Sequence, residues 1–216
     1  MPTELEQAMK TVIDAHEVLL QFHKEVVALW RLIDEQFADD THSVQLKCAS
    51  PDDYLRYTPD KLISPHDWAP KWLGRFYFDA AADRAESEIA APADRFYNMA
   101  FVWIAAFVNK ELPEFSAPEC VFGVAHSGRA PKGVSAWNVA RYGVWQTFDT
   151  ASVAKVGWSQ GQFPENKGQF GAGGLWHAAR TPLSSLLDAE TIRELVTKPL
   201  RDKYAEAFRP AATASP

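Results

Sequence analysis

Two histidines and a serine, all near predicted strand ends, are the residues whose types could support catalysis. His126 and Ser127 close one predicted strand, and His177 lies towards the end of another. A serine hydroxyl becomes a nucleophile when a histidine accepts its proton. A nucleophile elbow, however, needs glycine two places before and after the serine, where Ala125 and Arg129 stand. A hydrolase built from the three residues is therefore an alternative interpretation, and a strand-ending turn is favoured.

Glu165 and Lys167 form the Glu-x-Lys fragment that metal-dependent nucleases place on a strand beside an upstream aspartate. Asp149 is the nearest candidate for that aspartate. The fragment follows Pro164 and lies between glycines, where a rigid metal-holding strand is not expected. A nuclease is thus the second catalytic alternative. Whether the chain is an enzyme stays open, and binding is favoured over catalysis.

The segment 157–174 contains six glycines and predicts a long mobile loop. Amide groups near its end could hold a phosphate. The segment lacks the Lys-Ser or Lys-Thr pair of a P-loop, and it precedes a predicted strand instead of a helix. No cofactor and no metal are therefore expected.

Eight tryptophans and thirteen phenylalanines indicate an aromatic core or an aromatic binding surface. If several of these rings share an exposed concave face, they form a site for an apolar or planar ligand, with arginines as an anion-binding rim. The candidate ligand-binding residues are Trp103, Arg129, Trp137, Arg141, Trp158 and Trp176.

The strands that would carry these residues are predicted from two-residue alternation. Residues 96–108 are apolar on both faces, which predicts a central strand covered on each side. A short connection leads to a second strand over 120–126, which favours antiparallel pairing. Further strands are predicted over 43–48, 75–80, 153–158 and 175–180. Helices are predicted over 135–148, capped by Ser135, and from Asp188 to about 208, with Pro199 splitting the second.

The first forty residues carry the strongest pattern in the chain, an apolar seam whose steps alternate four and three without a slip. The seam consists of Leu5, Met9, Val12, His16, Leu19, His23, Val26, Trp30, Ile33 and Phe37. A second apolar row, formed by Ile13, Leu20 and Val27, widens the stripe beyond a strict coiled-coil seam. The pattern predicts one long helix.

A helix of about 35 residues is roughly 50 Å long, whereas a compact chain of this length has a diameter of about 44 Å. Part of the apolar face should therefore project and meet another copy, although packing on the helix's own domain is the open alternative. The predicted oligomer interface consists of Val12, His16, Leu19, His23, Val26 and Trp30.

His16 and His23 are about 10.5 Å apart along the helix axis, which excludes binding of one zinc ion by both. The favoured interpretation is that both are interface or core histidines hydrogen-bonded to a neighbour. The alternative hypothesis is that their burial couples association to protonation, because imidazole titrates near physiological pH.

The formal net charge is −6 and no basic cluster is longer than two residues, so nucleic-acid binding is not expected. The longest apolar run, 99–108, is too short to cross a bilayer, and the polar first ten residues do not resemble a signal peptide. With only two cysteines, a cytoplasmic protein with reduced thiols is expected.

Together these features predict an α+β fold with a long N-terminal helix, a mostly antiparallel or mixed sheet covered by helices, and a C-terminal helix. Residues 1–40 form the predicted association element and residues 41–216 the globular part, with a frayed tail over 210–216. The hypothesis for function is a self-associating binding protein. Its aromatic sheet face and Gly-rich loop would engage a partner protein or a small ligand.

Overall fold

The computed structural model describes residues 3–39, 42, 44–48, 55–56, 72–79, 98–105, 117–127, 138–144, 148–163 and 174–208, and all structural statements refer to these. The predicted α+β class is confirmed, with a long N-terminal helix, an antiparallel sheet and a C-terminal helix.

Helix α1 runs from Glu4 to Ala38 as one unbroken helix of 35 residues. It begins with a capping box, in which the Glu6 amide donates to the Thr3 hydroxyl (3.3 Å) and the Thr3 amide donates to the Glu6 carboxylate (2.6 Å). The last turn contains no basic residue of its own. The guanidinium of Arg201, from the C-terminal helix, donates to the Gln36 carbonyl and supplies positive charge there.

Seven strands form one sheet with the order β1-β3-β4-β5-β7-β6, and β2 pairs with β3 on the same edge as β1. All described pairings are antiparallel. The strands are β1 (Leu46–Cys48), β2 (Leu55–Arg56), β3 (Trp72–Asp79), β4 (Asn98–Ala105), β5 (Glu119–Ser127), β6 (Ser159–Gln162) and β7 (Gly174–Pro182).

Strand β4 is central and covered on both faces, as predicted, and β5 is its antiparallel neighbour. One face carries Val102 and Ile104 and packs on the helices, whereas the other carries Phe101 in an aromatic cluster. Gly123 of β5 lies opposite Phe101, and a β-carbon there would come within 2.6 Å of the ring and 2.3 Å of the His177 carbonyl oxygen. Only glycine fits between these groups.

The predicted strand over 153–158 is wrong. A 3-10 turn, Thr150–Ser152, comes first, Gly157 has a left-handed φ of 77°, and the Ala154 amide donates to the Ser159 hydroxyl at 2.7 Å. The strand starts at Ser159 instead, so the first residues of the predicted Gly-rich loop belong to β6. β6 is a partly exposed edge strand rich in glutamine and glycine. Its sequence therefore contains no alternation of apolar residues from which a strand could be predicted. Residues 164–173 of that loop lie outside the described residues.

The two predicted helices after β5 both contain π-helical turns. Val139–Val144 is π-helical, and the predicted cap Ser135 lies outside the described residues. At the C-terminus, α2 (Ala189–Ile192) and α3 (Lys198–Phe208) are joined by a π-helical turn, Arg193–Thr197. The Lys198 amide there donates to the Arg193 carbonyl, five residues back. The change of hydrogen-bond register occurs just before Pro199, which lacks an amide proton, and the following helix continues through Pro199 to Phe208.

A polar contact fixes the second half of α1 on the sheet. Asp34 accepts hydrogen bonds from the Tyr77 hydroxyl (3.0 Å) and from the Arg75 guanidinium, both on β3. Arg75 also lies over the Trp30 ring, 5.4 Å from its centroid. Burial raises the pKa of Tyr77 well above its usual value, and the Asp34 carboxylate adds to the shift. Tyr77 is therefore a neutral donor that, with Arg75, holds one carboxylate.

Replacing Asp34 with asparagine should lower the free energy of unfolding by about 3 kcal/mol, because Arg75 then loses its counter-ion in a largely buried position. Asparagine keeps an acceptor for Tyr77, so the change isolates the charge. Glu35→Gln, on the exposed neighbour, should change stability by less than about 0.5 kcal/mol. Urea unfolding followed by circular dichroism measures both, and equal effects would contradict the role given to Asp34.

Candidate interaction surface

Helix α1 divides at Val26 into an exposed first half and a self-packed second half. None of the residues 3–25 is buried, whereas the helix buries Val26, Leu29, Trp30, Ile33 and Phe37. These five pack in one cluster with the sheet and the C-terminal helix. The first half therefore extends beyond the core formed by its own chain.

The exposed and the buried halves present overlapping faces of one straight helix. Val12 and Trp30 are 18 residues apart, which is five turns at 3.6 residues per turn, so their side chains point in about the same direction. Yet Val12 is 68% exposed and Trp30 is 0% exposed. Sequence pattern alone gives these two residues the same role, and only the position of the sheet separates them.

The exposed half carries a wide apolar stripe that the described part of the chain leaves uncovered. Its members are each between about half and two thirds exposed: Leu5, Met9, Val12, Ile13 and Leu20. A stripe of this width is typical of a helix that packs in a bundle. Val18 is as exposed as Val12. It lies outside the stripe, about 120° around the helix from Val12.

Four of the six predicted interface residues are accessible to another molecule. Val12 and His16 are exposed, and Leu19 and His23 are half-buried. Val26 and Trp30 belong to the chain's own core. The coupling of association to protonation of His16 and His23 stays a prediction.

The structure does not bring the predicted hydrolase residues together. Adjacent strand residues point to opposite faces, so His126 lies on the helix side of the sheet and Ser127 on the other side. Ser127 is buried, at 1% exposed. His126 Nδ1 lies 2.6 Å from the Asn98 side-chain oxygen and therefore donates to it when neutral. This histidine cannot act as a base for its neighbour.

His177 shares the helix side of the sheet with His126. It lies opposite Val124, diagonally across the strand pair from His126, at about 7 Å between α-carbons. Burial lowers the pKa of His177, and the nearby Lys203 lowers it further. Burial also lowers the pKa of His126. Both imidazoles are thus held neutral at the edge of the core, with no nucleophile beside them among the predicted residues.

Two of the predicted ligand-binding tryptophans lie in the aromatic cluster of the sheet. Trp103 and Trp176 both pack on Phe148, with ring centroids 4.7 and 5.0 Å from it. They are only 2% and 4% exposed, and Trp176 also covers Gly161, where a β-carbon would come within 2.4 Å of the indole. This cluster is packed core.

Trp158 lies on the other face, where its ring packs on Phe122 (5.7 Å) and under the Lys203 ammonium group (5.6 Å). The three predicted ligand-binding tryptophans that the structure describes therefore do not share a face. Other predicted site residues lie outside the described residues: Arg129, Trp137, Glu165, Lys167 and the side chain of Arg141.

Sequence reasoning missed Asp34 and Arg75, whose ion pair holds the self-packed half of α1 on β3. A signal was present, because Asp34 interrupts the apolar row of Ile13, Leu20 and Val27 at the next seven-residue step. Arg75 similarly interrupts an aromatic strand. Two opposite charges inside apolar patterns indicate a buried pair.

Within the described residues, no three histidine, cysteine or acidic side chains are grouped as metal ligands. No described helix combines the length and hydropathy needed to cross a bilayer. Comparison with protein-family models, with curated proteins and with solved structures finds no match for this chain.

The lowered pKa of His126 predicts a loss of stability on acidification. The unfolded chain binds the proton near the usual value of 6.5, before the folded chain does, so stability is complete above that pH and falls as the pH drops through the folded pKa. The melting temperature should fall between pH 7.5 and 5.5, and His126→Gln should reduce that fall. An unaltered pH dependence in the His126 variant would refute this account.

Proposed function

We propose that this chain is an interaction protein that associates with copies of itself through the exposed first half of α1. The observation that carries the proposal is the uncovered apolar stripe on a helix that continues, without a break, into the chain's own core. Exposed apolar patches of this extent mark association surfaces in soluble proteins. The second half of α1 packs in the core, and the first half is accessible for binding.

The energetic balance suits a moderately stable assembly. Burying the remaining area of an aliphatic side chain that is half to two thirds exposed contributes about 1 to 2 kcal/mol. The five members of the stripe on each of two copies then contribute roughly 10 to 20 kcal/mol, against an association cost of about 4 to 15 kcal/mol. The apolar gain is therefore of the same order as the cost of association, and the upper part of its range exceeds that cost.

The second part of the sequence hypothesis, a ligand on the aromatic sheet face, has less support. Trp103 and Trp176 are enclosed by their own neighbours, and the remainder of the Gly-rich loop lies outside the described residues. Binding of a small ligand or of another protein, and the cytoplasmic location, stay predictions from the sequence.

Val12→Glu should raise the dissociation constant of the assembly at least about 100-fold, because each copy would bury a carboxylate in an apolar contact. Val18→Glu is the matched control. It introduces the same charge at an equally exposed valine outside the stripe, and it should leave association unchanged. Sedimentation equilibrium over about 1 to 100 μM measures both.

Both valines are exposed, so circular dichroism should show folded protein in either variant. A wild-type chain that is monomeric over this range, or an assembly equally weakened by the two substitutions, would refute the proposal.

A further inference from the structure

We propose that two copies of α1 pack antiparallel, with Leu5 of one copy opposite His23 of the second copy. The two globular parts then lie at opposite ends of a shared helix pair. This inference rests on the proposed function and adds the partner's orientation and register, which follow from four features of the described residues.

The position of the sheet excludes the parallel arrangement. A parallel partner lying along Val12 would continue along the same side of the helix to Trp30, which is 0% exposed, and to Asp34. That space is filled by Arg75, which pairs with Asp34 and lies over the Trp30 ring. The helix of an antiparallel partner ends before it reaches this sheet. The partner's own sheet lies beyond the opposite end of the paired segments.

The exposure pattern selects one register. In an antiparallel pair, the a positions of one helix face the d positions of the other. The permitted registers therefore differ by steps of seven residues. In the proposed register, Met9 faces Leu19 and Val12 faces His16 of the second copy, so all six seam residues before Val26 are used. The next register would place Leu5 against Trp30, which is already buried. The previous one would leave Leu19 and His23 without partners.

Side-chain sizes beside the seam also fit this register. Ile13 meets Ile13 of the second copy near the two-fold axis on one side, and Ala15 meets Ala15 on the other. Ala8 lies about 3 Å along the axis from Phe22 of the second copy, a large, half-buried side chain that also packs on its own core. Pairing of small with large residues lets two helices pack closely.

Charges favour the same arrangement. The first turn of α1 is acidic, with Glu4 and Glu6, and it lies beside Lys24 of the second copy. Glu25 is at this level too, but it accepts a hydrogen bond from Gln21 at 2.5 Å. A parallel pair would instead place the two acidic first turns side by side.

The distance between spin labels at Glu35 tests the inference. Glu35 is exposed and points outward, and in the proposed register the two copies of this residue are about 63 Å apart along the axis. The full chain carries Glu35→Cys and Cys48→Ser. Burial raises the pKa of the Cys120 thiol to about 12, so it does not react with the label. A second variant, Asp14→Cys, places labels near the two-fold axis.

Pulsed dipolar spectroscopy should give about 63 Å for Glu35 and a short distance, under about 30 Å, for Asp14. A short distance at Glu35 would overturn the antiparallel orientation while leaving self-association intact. A distance near 52 or 73 Å would overturn the register, since those values correspond to a shift of seven residues. Absence of any dipolar signal in both variants would mean a monomer, and would refute the proposed function itself.

Discussion

The contact between Asp34, Arg75 and Tyr77 determines how much of α1 belongs to its own core. It fixes the helix on β3 at a point near its C-terminal end, with Trp30 beneath the guanidinium. Because the helix is rigid and unbroken from Glu4, fixing one end also sets the direction and the reach of the other. This contact, together with the burial of Trp30, Ile33 and Phe37, thus sets the direction in which the exposed apolar stripe extends.

Much of the fold could be predicted from the sequence, because its elements have regular periods. The seam of α1 and the doubly apolar β4 both follow from side-chain spacing alone, and the short connection after β4 predicts its antiparallel pairing. The edge strand β6 could not be found in this way. Its residues, Ser159–Gln162, are polar and partly exposed, and its pairing with β7 is a long-range property that local alternation does not encode.

The candidate surface was predictable only in part, for a related reason. The seam identifies which face of α1 is apolar, but Val12 and Trp30 are equivalent in that pattern and opposite in exposure. What separates them is where along the helix the sheet packs, and tertiary contacts decide this. The same limit applies to the tryptophans, because spacing cannot tell that Trp103 and Trp176 share a packed cluster while Trp158 lies on the other face.

The equivalence of the two halves of α1 raises the question of why a second copy does not displace the self-packed half from the sheet. Eighteen residues before Asp34 stands His16, which cannot supply the carboxylate that Arg75 and Tyr77 require. Likewise Val12 would replace Trp30 and leave a cavity beneath Arg75. The first half of a second copy would therefore deprive Arg75 of the Asp34 carboxylate and lose packing, so the sheet distinguishes its own half of the helix from the half that it leaves exposed.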